Sequence, residues 1–254
     1  MPESPNVASA VARIVARREG GALVADVRIG LGYTAVMLDD HRAGVAYTFR
    51  KEARGGCSPF KKLRPLLGRH ASELLTLLSS EDPIELAVGL ACANALVNVD
   101  DVRFRPGDIL DHLDLRSEDH IGMVGFFGPL VEILEKRGTN MTVFENDQPA
   151  GGPTRPAGEA EEILPDCHVA IITATSIINR SIEGLLKAAE GCREVVVLGS
   201  STPLIPEAFP TRKVTWLSCV VVKEPLAILQ IVSEGGGMRY FGPHIRKVSL
   251  GVSG

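Results

Sequence analysis

The feature that most constrains the fold is an alternation over residues 121–234, where short apolar runs are separated by stretches of helical spacing. Such runs are typical of strands buried on both faces, and the helical stretches are typical of crossovers in a parallel sheet. The sequence therefore predicts an α/β domain with a parallel sheet. Its predicted strands are 121–127, 141–144, 168–172, 194–198 and 214–222, and its predicted helices are 130–136, 160–164, 182–189 and 226–234.

The N-terminal part has a different pattern. An amphipathic helix over 5–19 precedes strand-like runs at 23–29, 33–38 and 44–49 and helices over 71–78 and 82–97. In the last helix Asp82 suits the N-cap, Pro83 the first turn, and Glu85 a capping box. The β-β-β-α-α order predicts an α+β domain. The Pro106-Gly107 pair predicts a boundary, with domains over 1–105 and 106–254.

Composition argues against several classes of partner. The 254 residues carry a formal net charge of −4 without a block of like charge, so neither a nucleic-acid interface nor a polybasic membrane patch is predicted. No run reaches the roughly 18 apolar residues of a membrane span, and the N-terminus does not resemble a secretory signal. We therefore expect a cytoplasmic protein, with a homodimer as the default oligomer.

Polar residues follow four of the predicted strands, and parallel strands present their carboxyl ends at one edge of a sheet, where ligands bind. Glu145 comes twenty residues after Gly125, the position of the acid that bonds a ribose hydroxyl in Rossmann domains. The alternative interpretation is a tight turn, helix caps and a solvated carboxylate. The candidate ligand-binding residues at these strand ends are Gly125, Phe127, Gly128, Glu145, Thr173, Thr175, Asn179, Ser200 and Ser201.

Asn94 is a further candidate because it lies in a helix that is apolar on all sides, and its amide needs partners there. It either bonds to nearby backbone or faces a cleft between the two domains. Cys57 and Ser58, in a Gly-rich loop, could also reach a cleft, and 148–158 is predicted to be a loop.

Metal ligands are not evident from spacing. The five cysteines form no Cys-x-x-Cys pair, which favours reduced core thiols over disulfides or a zinc ribbon. Cys167-His168 precedes its strand, so we expect this pair at the sheet edge opposite the ligand site. His112 and His120 lie in an acidic stretch that we interpret as a solvated linker.

The chain resembles the "putative heavy-metal chelation" family of proteins of unknown function. The resemblance rests on the segments GYTAV (32–36), GVAYT (44–48), GLACANAL (89–96), GMVGFF (122–127), VFE (143–145), TATSIIN (173–179) and LGSSTP (198–203). It implies an N-terminal domain like that of enolase, a C-terminal Rossmann-like domain, and a cavity that both share. It also implies a role in heavy-metal chelation.

These observations favour a protein that binds a small anionic or metal-chelating ligand between the two domains. Such a protein could also process the ligand chemically. Soft metals prefer thiolates and imidazoles, whereas the candidate site offers hydroxyls, amides and one carboxylate. A metal would therefore arrive inside an organic chelator or be a hard cation. The alternatives are a nucleotide- or adenosyl-cofactor enzyme of Rossmann type, suggested by Gly125 and Glu145, and a purely structural role. The cofactor, the metal and any reaction stay open.

Overall fold

The structure is a computed structural model that describes residues 6–18, 20–49, 60, 63–146, 154–209 and 214–252. Cys57 and Ser58, and the first part of the predicted 148–158 loop, lie outside these residues. The helices are α1 (Val7–Ala16), α2 (Ala71–Leu75), α3 (Pro83–Val97), α4 (Gly128–Lys136), α5 (Ala160–Ile163), α6 (Thr175–Ile178), α7 (Ile182–Ala188), α8 (Pro225–Ser233) and α9 (Met238–Phe241).

The strands are β1 (Val24–Ile29), β2 (Tyr33–Leu38), β3 (Ala43–Tyr47), β4 (Arg105–Pro106), β5 (His120–Val124), β6 (Asn140–Phe144), β7 (Thr154–Arg155), β8 (Val169–Thr173), β9 (Glu194–Leu198), β10 (Trp216–Val222) and β11 (Ile245–Gly251). Short 3-10 helices cover Thr76–Ser79, Ile109–Asp111, Ala157–Glu159, Leu164–Asp166, Ala189–Gly191, Pro206–Ala208 and Gly242–His244.

The C-terminal part forms a mixed sheet of eight strands in the order β4-β11-β10-β9-β8-β5-β6-β7. The pairs from β10 to β7 are parallel, as the alternating pattern predicts. β11 pairs antiparallel with β10 and β4 pairs antiparallel with β11, and neither strand was predicted. The five long parallel strands therefore follow the order 2-1-3-4-5 by their place in the chain, and this order reverses between β5 and β8.

Both faces of the parallel strands are buried, which explains why their sequences are continuously apolar. In β5, Met123 packs in an apolar cluster with Leu134 of α4, while Val124 packs in the cluster that includes α3 and α7. Adjacent side chains on a strand point to opposite faces. The sheet is therefore a layer between two sets of helices.

The three-stranded sheet β1-β2-β3 lies between two helices from distant parts of the chain. Helix α3 covers one face, and Gly44 of β3 approaches it so closely that an added Cβ would lie 2.2 Å from the Ala95 nitrogen. Helix α8 covers the other face, where Ile228 packs in one cluster with Ala35 and Val45. This arrangement explains why β2 is buried along nearly its whole length.

Helix α3 is buried all round, as its composition predicts, and Asp82 caps it by accepting hydrogen bonds from the Ile84 and Glu85 amides. The predicted capping box is wrong. The Glu85 carboxylate accepts hydrogen bonds from the Phe60 amide (2.7 Å) and the Ser80 hydroxyl (2.6 Å) instead. Glu85 therefore holds the chain that enters the helix, and the Asp82 amide donates to the Ser80 hydroxyl oxygen.

Among the described residues, no helix combines the length and apolar character that crossing a membrane requires.

Candidate functional site

The point where the strand order reverses lies between Gly125, after β5, and Thr173, the last residue of β8. Gly125 has φ +93°, and an added Cβ there would lie 2.8 Å from the Thr173 Cβ. Its amide donates to the Phe144 carbonyl at the end of β6 (2.9 Å). A glycine is therefore required here both for its backbone conformation and for the close approach of two strand ends. In open α/β sheets this crevice is where ligands bind.

The Glu145 carboxylate reaches this turn from the end of β6. Its Oε2 accepts a hydrogen bond from the Phe126 amide (3.2 Å), and its Oε1 accepts one from the Asn146 amide (2.8 Å). The Glu145 backbone amide donates to the Arg155 carbonyl (2.9 Å). The side chain is half-buried, so the carboxylate stands at the strand ends with its position fixed by backbone contacts.

Helix α4 begins at Gly128, with Pro129 in its first turn as the sequence predicts. Phe127 occupies the N-cap position and packs partly against the apolar cluster on that face of the sheet. Phe126 is 38% exposed. The turn thus presents one exposed aromatic ring, and its backbone faces the ends of β5 and β6.

The hydroxyls of Thr173 and Thr175 lie 3.0 Å apart and bond to each other, and both residues are half-buried. We call Gly125, Phe127, Gly128, Glu145, Thr173 and Thr175 the switch-point cluster. It combines one carboxylate with two hydroxyls at a crevice, a set that can accept hydrogen bonds from, or donate them to, a small polar ligand.

Asn179 is exposed and lies between α6 and α7, not at the start of a helix. Its Oδ1 accepts hydrogen bonds from the Ser181 amide (3.1 Å) and the Ser181 hydroxyl (2.7 Å). This is the geometry of a turn that leads into α7.

Ser200 and Ser201 follow β9 and are buried against the N-terminal part of the chain. The Ser201 Oγ accepts a hydrogen bond from the Tyr47 amide at the end of β3 (2.8 Å). Burial raises the pKa of Tyr33, and an interaction of its hydroxyl with Ser200 opposes this increase. The two serines therefore bind the three-stranded sheet to the edge of the larger sheet.

Asn94 lies at the same junction and is 1% exposed. Its amide nitrogen donates to the Val45 carbonyl (3.0 Å) and the Ser200 carbonyl (3.4 Å), so it contacts both its own half and the C-terminal half. Its Oδ1 is buried and has no hydrogen-bond partner among the described residues. The amide thus holds the junction through its nitrogen.

Sequence reasoning missed Asn98, which lies one helical turn after Asn94 and is 3% exposed. Its side chain donates to the Thr202 carbonyl (3.0 Å), lies 3.0 Å from the Cys219 Sγ, and accepts from the Leu204 amide (3.0 Å). The signal that could have found it is the spacing of four residues from Asn94, which places both amides on one helix face.

Tyr33 and Tyr47 were also missed. They are paired in register across β2 and β3, and their rings meet edge to face with centroids 5.9 Å apart. Tyr47 is 36% exposed and also contacts Phe49 edge to face. We call these two tyrosines, with Asn94, Asn98, Ser200 and Ser201, the junction cluster.

The two clusters lie along one edge of the sheet. β8 and β9 are neighbours, with Thr173 opposite Leu198, and the Ala174 amide donates to the Leu198 carbonyl (2.8 Å). The junction cluster therefore continues from the strand beside the switch-point cluster. Most hydrogen-bonding groups of the junction cluster form bonds between the two halves of the chain. Those of the switch-point cluster lie closer to the surface.

The thiols of Cys167, Cys192 and Cys219 do not favour direct binding of a soft metal ion. Burial raises the pKa of Cys167 and of Cys192 to about 11 and that of Cys219 to about 12, so these thiols are protonated at neutral pH. Metal ions bind the thiolate and not the thiol. Within the described ranges, no three His, Cys, Asp or Glu side chains are grouped so that they could hold a metal ion.

The acidic stretch before β5, interpreted from the sequence as a solvated linker, contains the buried carboxylate of an ion pair. Asp119 is fully buried, and its carboxylate forms a two-pronged pair with Arg193 (2.9 and 2.7 Å). This pair holds the pKa of Asp119 at about 2. His120 bonds to the Thr142 hydroxyl (2.9 Å), and His168 accepts from the His120 amide (3.0 Å). Asp119, His168 and Arg193 precede β5, β8 and β9, and His120 is the first residue of β5, so these groups lie at the edge opposite the two clusters.

Three proteins similar to this chain are described as uncharacterised or as having unknown function. An uncharacterised protein of Methanocaldococcus jannaschii is 24% identical over 238 residues, which cover 90% of both chains. A solved structure from Pyrococcus horikoshii, a DUF364-family protein of unknown function, has a TM-score of 0.83 at 22% identity and covers 97% of this chain and 100% of its own. A second DUF364-family structure, from Desulfitobacterium hafniense, has a TM-score of 0.76 at 22% identity and covers 95% and 96%. These structures share the fold.

Two family models match different parts of the sequence, and both are described as "Putative heavy-metal chelation". The DUF4213 model matches residues 13–97, which include β1 to β3 and α3. The DUF364 model matches residues 108–250, more than half of the chain, and includes both the switch-point cluster and Ser200 and Ser201. The chain therefore belongs to the DUF364 family, described as "Putative heavy-metal chelation", as the segments shared with that family predicted.

Proposed function

We propose that the protein binds a small anionic or metal-chelating ligand at the edge formed by the switch-point cluster, with the junction cluster closing one side. In this proposal an enolase-N-terminal-like domain (1–105) and a Rossmann-like domain (106–254) meet around the ligand. The observation that carries the proposal is the reversal of strand order between β5 and β8, where Gly125, Glu145 and Thr173 converge. The family description supports a connection with metals.

The chemistry of the side chains decides how a metal would arrive. The buried thiols of Cys167, Cys192 and Cys219 have raised pKa values, and no three metal-binding side chains are grouped within the described residues, so these thiols do not suit a bare soft ion. Hydroxyls, amides and a carboxylate instead suit the polar rim of an organic molecule. The ligand in this proposal is therefore a metal chelate or the chelator itself, held through its own oxygen and nitrogen atoms.

Native mass spectrometry tests this proposal. Protein purified without oxygen or chelators should carry an excess mass that corresponds to an organic molecule with or without a metal. Glu145→Ala should lose this mass, whereas Glu132→Ala should keep it because Glu132 is an exposed carboxylate on α4. A ligand that stays bound to Glu145→Ala would contradict the assignment of the site, and the same spectra report whether the protein is a homodimer.

A second candidate function is that of a Rossmann-type enzyme using a nucleotide or adenosyl cofactor. The order 2-1-3-4-5 of the parallel strands favours it, because doubly wound sheets of this order bind flavin nucleotide at the same reversal point. Glu145 would then bond the ribose hydroxyls. Saturable binding of NAD, flavin mononucleotide or S-adenosylmethionine by calorimetry would support this function, and absence of binding of all three would reject it.

A further inference from the structure

The turn after β5 is the place where doubly wound sheets commonly hold a phosphate, because its amides and the following helix dipole favour negative charge. Gly125 has the positive φ that such a turn requires, and α4 starts three residues later. In this protein a side chain of the protein itself already lies there. The Glu145 Oε2 accepts the hydrogen bond of the Phe126 amide, the first amide after the glycine.

Glu145 is held in this position from several directions. Its second oxygen accepts from the Asn146 amide (2.8 Å), and its backbone amide donates to the Arg155 carbonyl (2.9 Å). A carboxylate at the N-terminal end of α4 is also stabilised by the helix dipole. The negative charge that a phosphate would bring is therefore already present in the fold.

Among the described residues beside this turn, the nearby charge does not compensate for a second anion. Arg155, the basic residue on the adjacent strand β7, pairs with Glu159 through a contact of 2.9 Å. The neighbouring strand end contributes the hydroxyls of Thr173 and Thr175, which are neutral. A phosphate at the turn would face the Glu145 carboxylate at close range, and like charges at that distance repel strongly where water is partly excluded.

We infer that Glu145 is the specificity-determining residue of the switch-point cluster. It selects a ligand group that presents donor hydrogens, such as the vicinal hydroxyls of a sugar or of a catechol, and it rejects phosphate at the Gly125–Gly128 turn. The selection of hydroxyl groups rests on the proposed function, and it narrows the ligand to a hydroxyl-bearing molecule whose anionic groups, if present, point away from the turn. The exclusion of phosphate does not depend on the proposed function.

The test is a titration of the full chain with inorganic phosphate, followed by the amide resonances of residues 125–128. The variant is Glu145→Gln, which keeps the shape of the side chain and removes its charge. The matched control is Glu132→Gln, which removes the same charge from the exposed face of α4. We expect phosphate to bind Glu145→Gln at least about tenfold more tightly than the wild type or the control. Glu145→Ala serves as a second variant if the glutamine reproduces the bond to the Phe126 amide.

Equal affinity of phosphate for the wild type and both Glu145 variants would overturn the inference. Binding to none of the proteins would also overturn it, because Glu145 would then not be what excludes phosphate. The probe is an inorganic ion, so this result does not depend on the identity of a natural ligand. A failure of the proposed function would appear separately, as the absence of any ligand in the native mass spectrum.

Discussion

At the scale of single residues, Asn98 joins the two halves of the chain through both the nitrogen and the oxygen of its side-chain amide. It contacts the carbonyl of Thr202, the amide of Leu204 and the thiol of Cys219, all in the other half of the chain. Asn94, one turn earlier, bonds two carbonyls, and its oxygen has no partner in the described part of the chain. Two asparagines on one helix face therefore recognise the backbone of the loop after β9.

We expect Asn98→Ala to lower the free energy of unfolding by about 3 kcal/mol, because it leaves the Leu204 amide and the Thr202 carbonyl buried without partners. Urea unfolding followed by circular dichroism measures this change. Asn140→Ala is the matched control, since Asn140 is exposed at the start of β6, and it should change stability little. Similar losses for the two variants would show that the Asn98 hydrogen bonds contribute nothing specific.

The Asp119–Arg193 pair predicts how stability depends on pH. The pKa of Asp119 is held at about 2 by the hydrogen bonds from Arg193, below the usual value of about 3.9. A carboxyl group whose pKa is lowered in the folded state stabilises the protein above its unfolded pKa. That stability is lost as the pH falls through the folded pKa.

We therefore expect Asp119→Asn to destabilise the protein by about 1–2 kcal/mol at neutral pH, a value reduced by solvent because Arg193 is 27% exposed. The difference from the wild type should shrink between about pH 4 and about pH 2. Denaturation at a series of pH values measures it. Asp114→Asn, which removes an exposed carboxylate nearby, should show no such trend. A difference that does not vary with pH would contradict the assignment.

At the scale of secondary-structure elements, helix α3 and strand β3 are in contact through their backbones. An added Cβ at Gly44 would lie 2.2 Å from the Ala95 nitrogen and 2.4 Å from the Ala91 carbonyl oxygen. No rotation of a side chain relieves a clash with backbone. The helix and the strand are therefore paired at a distance that only glycine permits.

Gly44→Ala is expected to prevent folding, which soluble yield and far-ultraviolet circular dichroism will show. Gly32→Ala is the control, because Gly32 lies in the same three-stranded region with no atom within 4 Å of its added Cβ. A folded Gly44→Ala protein of near wild-type stability would show that α3 moves away from the sheet at little cost.

At the scale of the whole molecule, the three-stranded sheet is completed by an element from the far end of the chain. Helix α8 packs on the face opposite α3, and an added Cβ at Gly30 would lie 2.2 Å from the Val232 carbonyl oxygen. The Val7 amide also donates to Glu183 (2.8 Å), and Arg180 donates to the Ser80 carbonyl (2.8 Å). The apolar clusters cross the same boundary, so we expect both halves to unfold together.

Leu38→Ala tests this cooperativity, because Leu38 is fully buried in β2, and its truncation should cost about 2–5 kcal/mol. The single tryptophan, Trp216, lies in β10 of the other sheet. Its fluorescence should report the same lowered midpoint as circular dichroism. Leu226→Ala, at a position 69% exposed on α8, should leave both midpoints nearly unchanged. A Trp216 transition that is unaffected by Leu38→Ala would show that the halves unfold independently.

Local pattern determined the elements that bury a strong apolar face. The five long parallel strands, α3 with its Asp82 cap, and the helices α4, α7 and α8 were all predicted to within a few residues. The burial of continuous apolar runs leaves few alternative structures for them. The antiparallel strand β11 was missed because Arg246 and Lys247 interrupt its apolar run, and it pairs with β10 only after the chain has passed α8 and α9.

The sequence by itself also identified the polar strand ends, since parallel strands bring their carboxyl ends to one edge. Only the tertiary structure decided what each polar group does there. It directs Glu145 to the Phe126 amide and uses Ser201 and Asn98 to join the two halves. The physical reason is that hydrophobic periodicity is a local property of the chain, whereas the partner of a polar group depends on how whole layers pack. The Tyr47 amide, for example, lies 154 residues from Ser201, whose hydroxyl accepts its hydrogen bond.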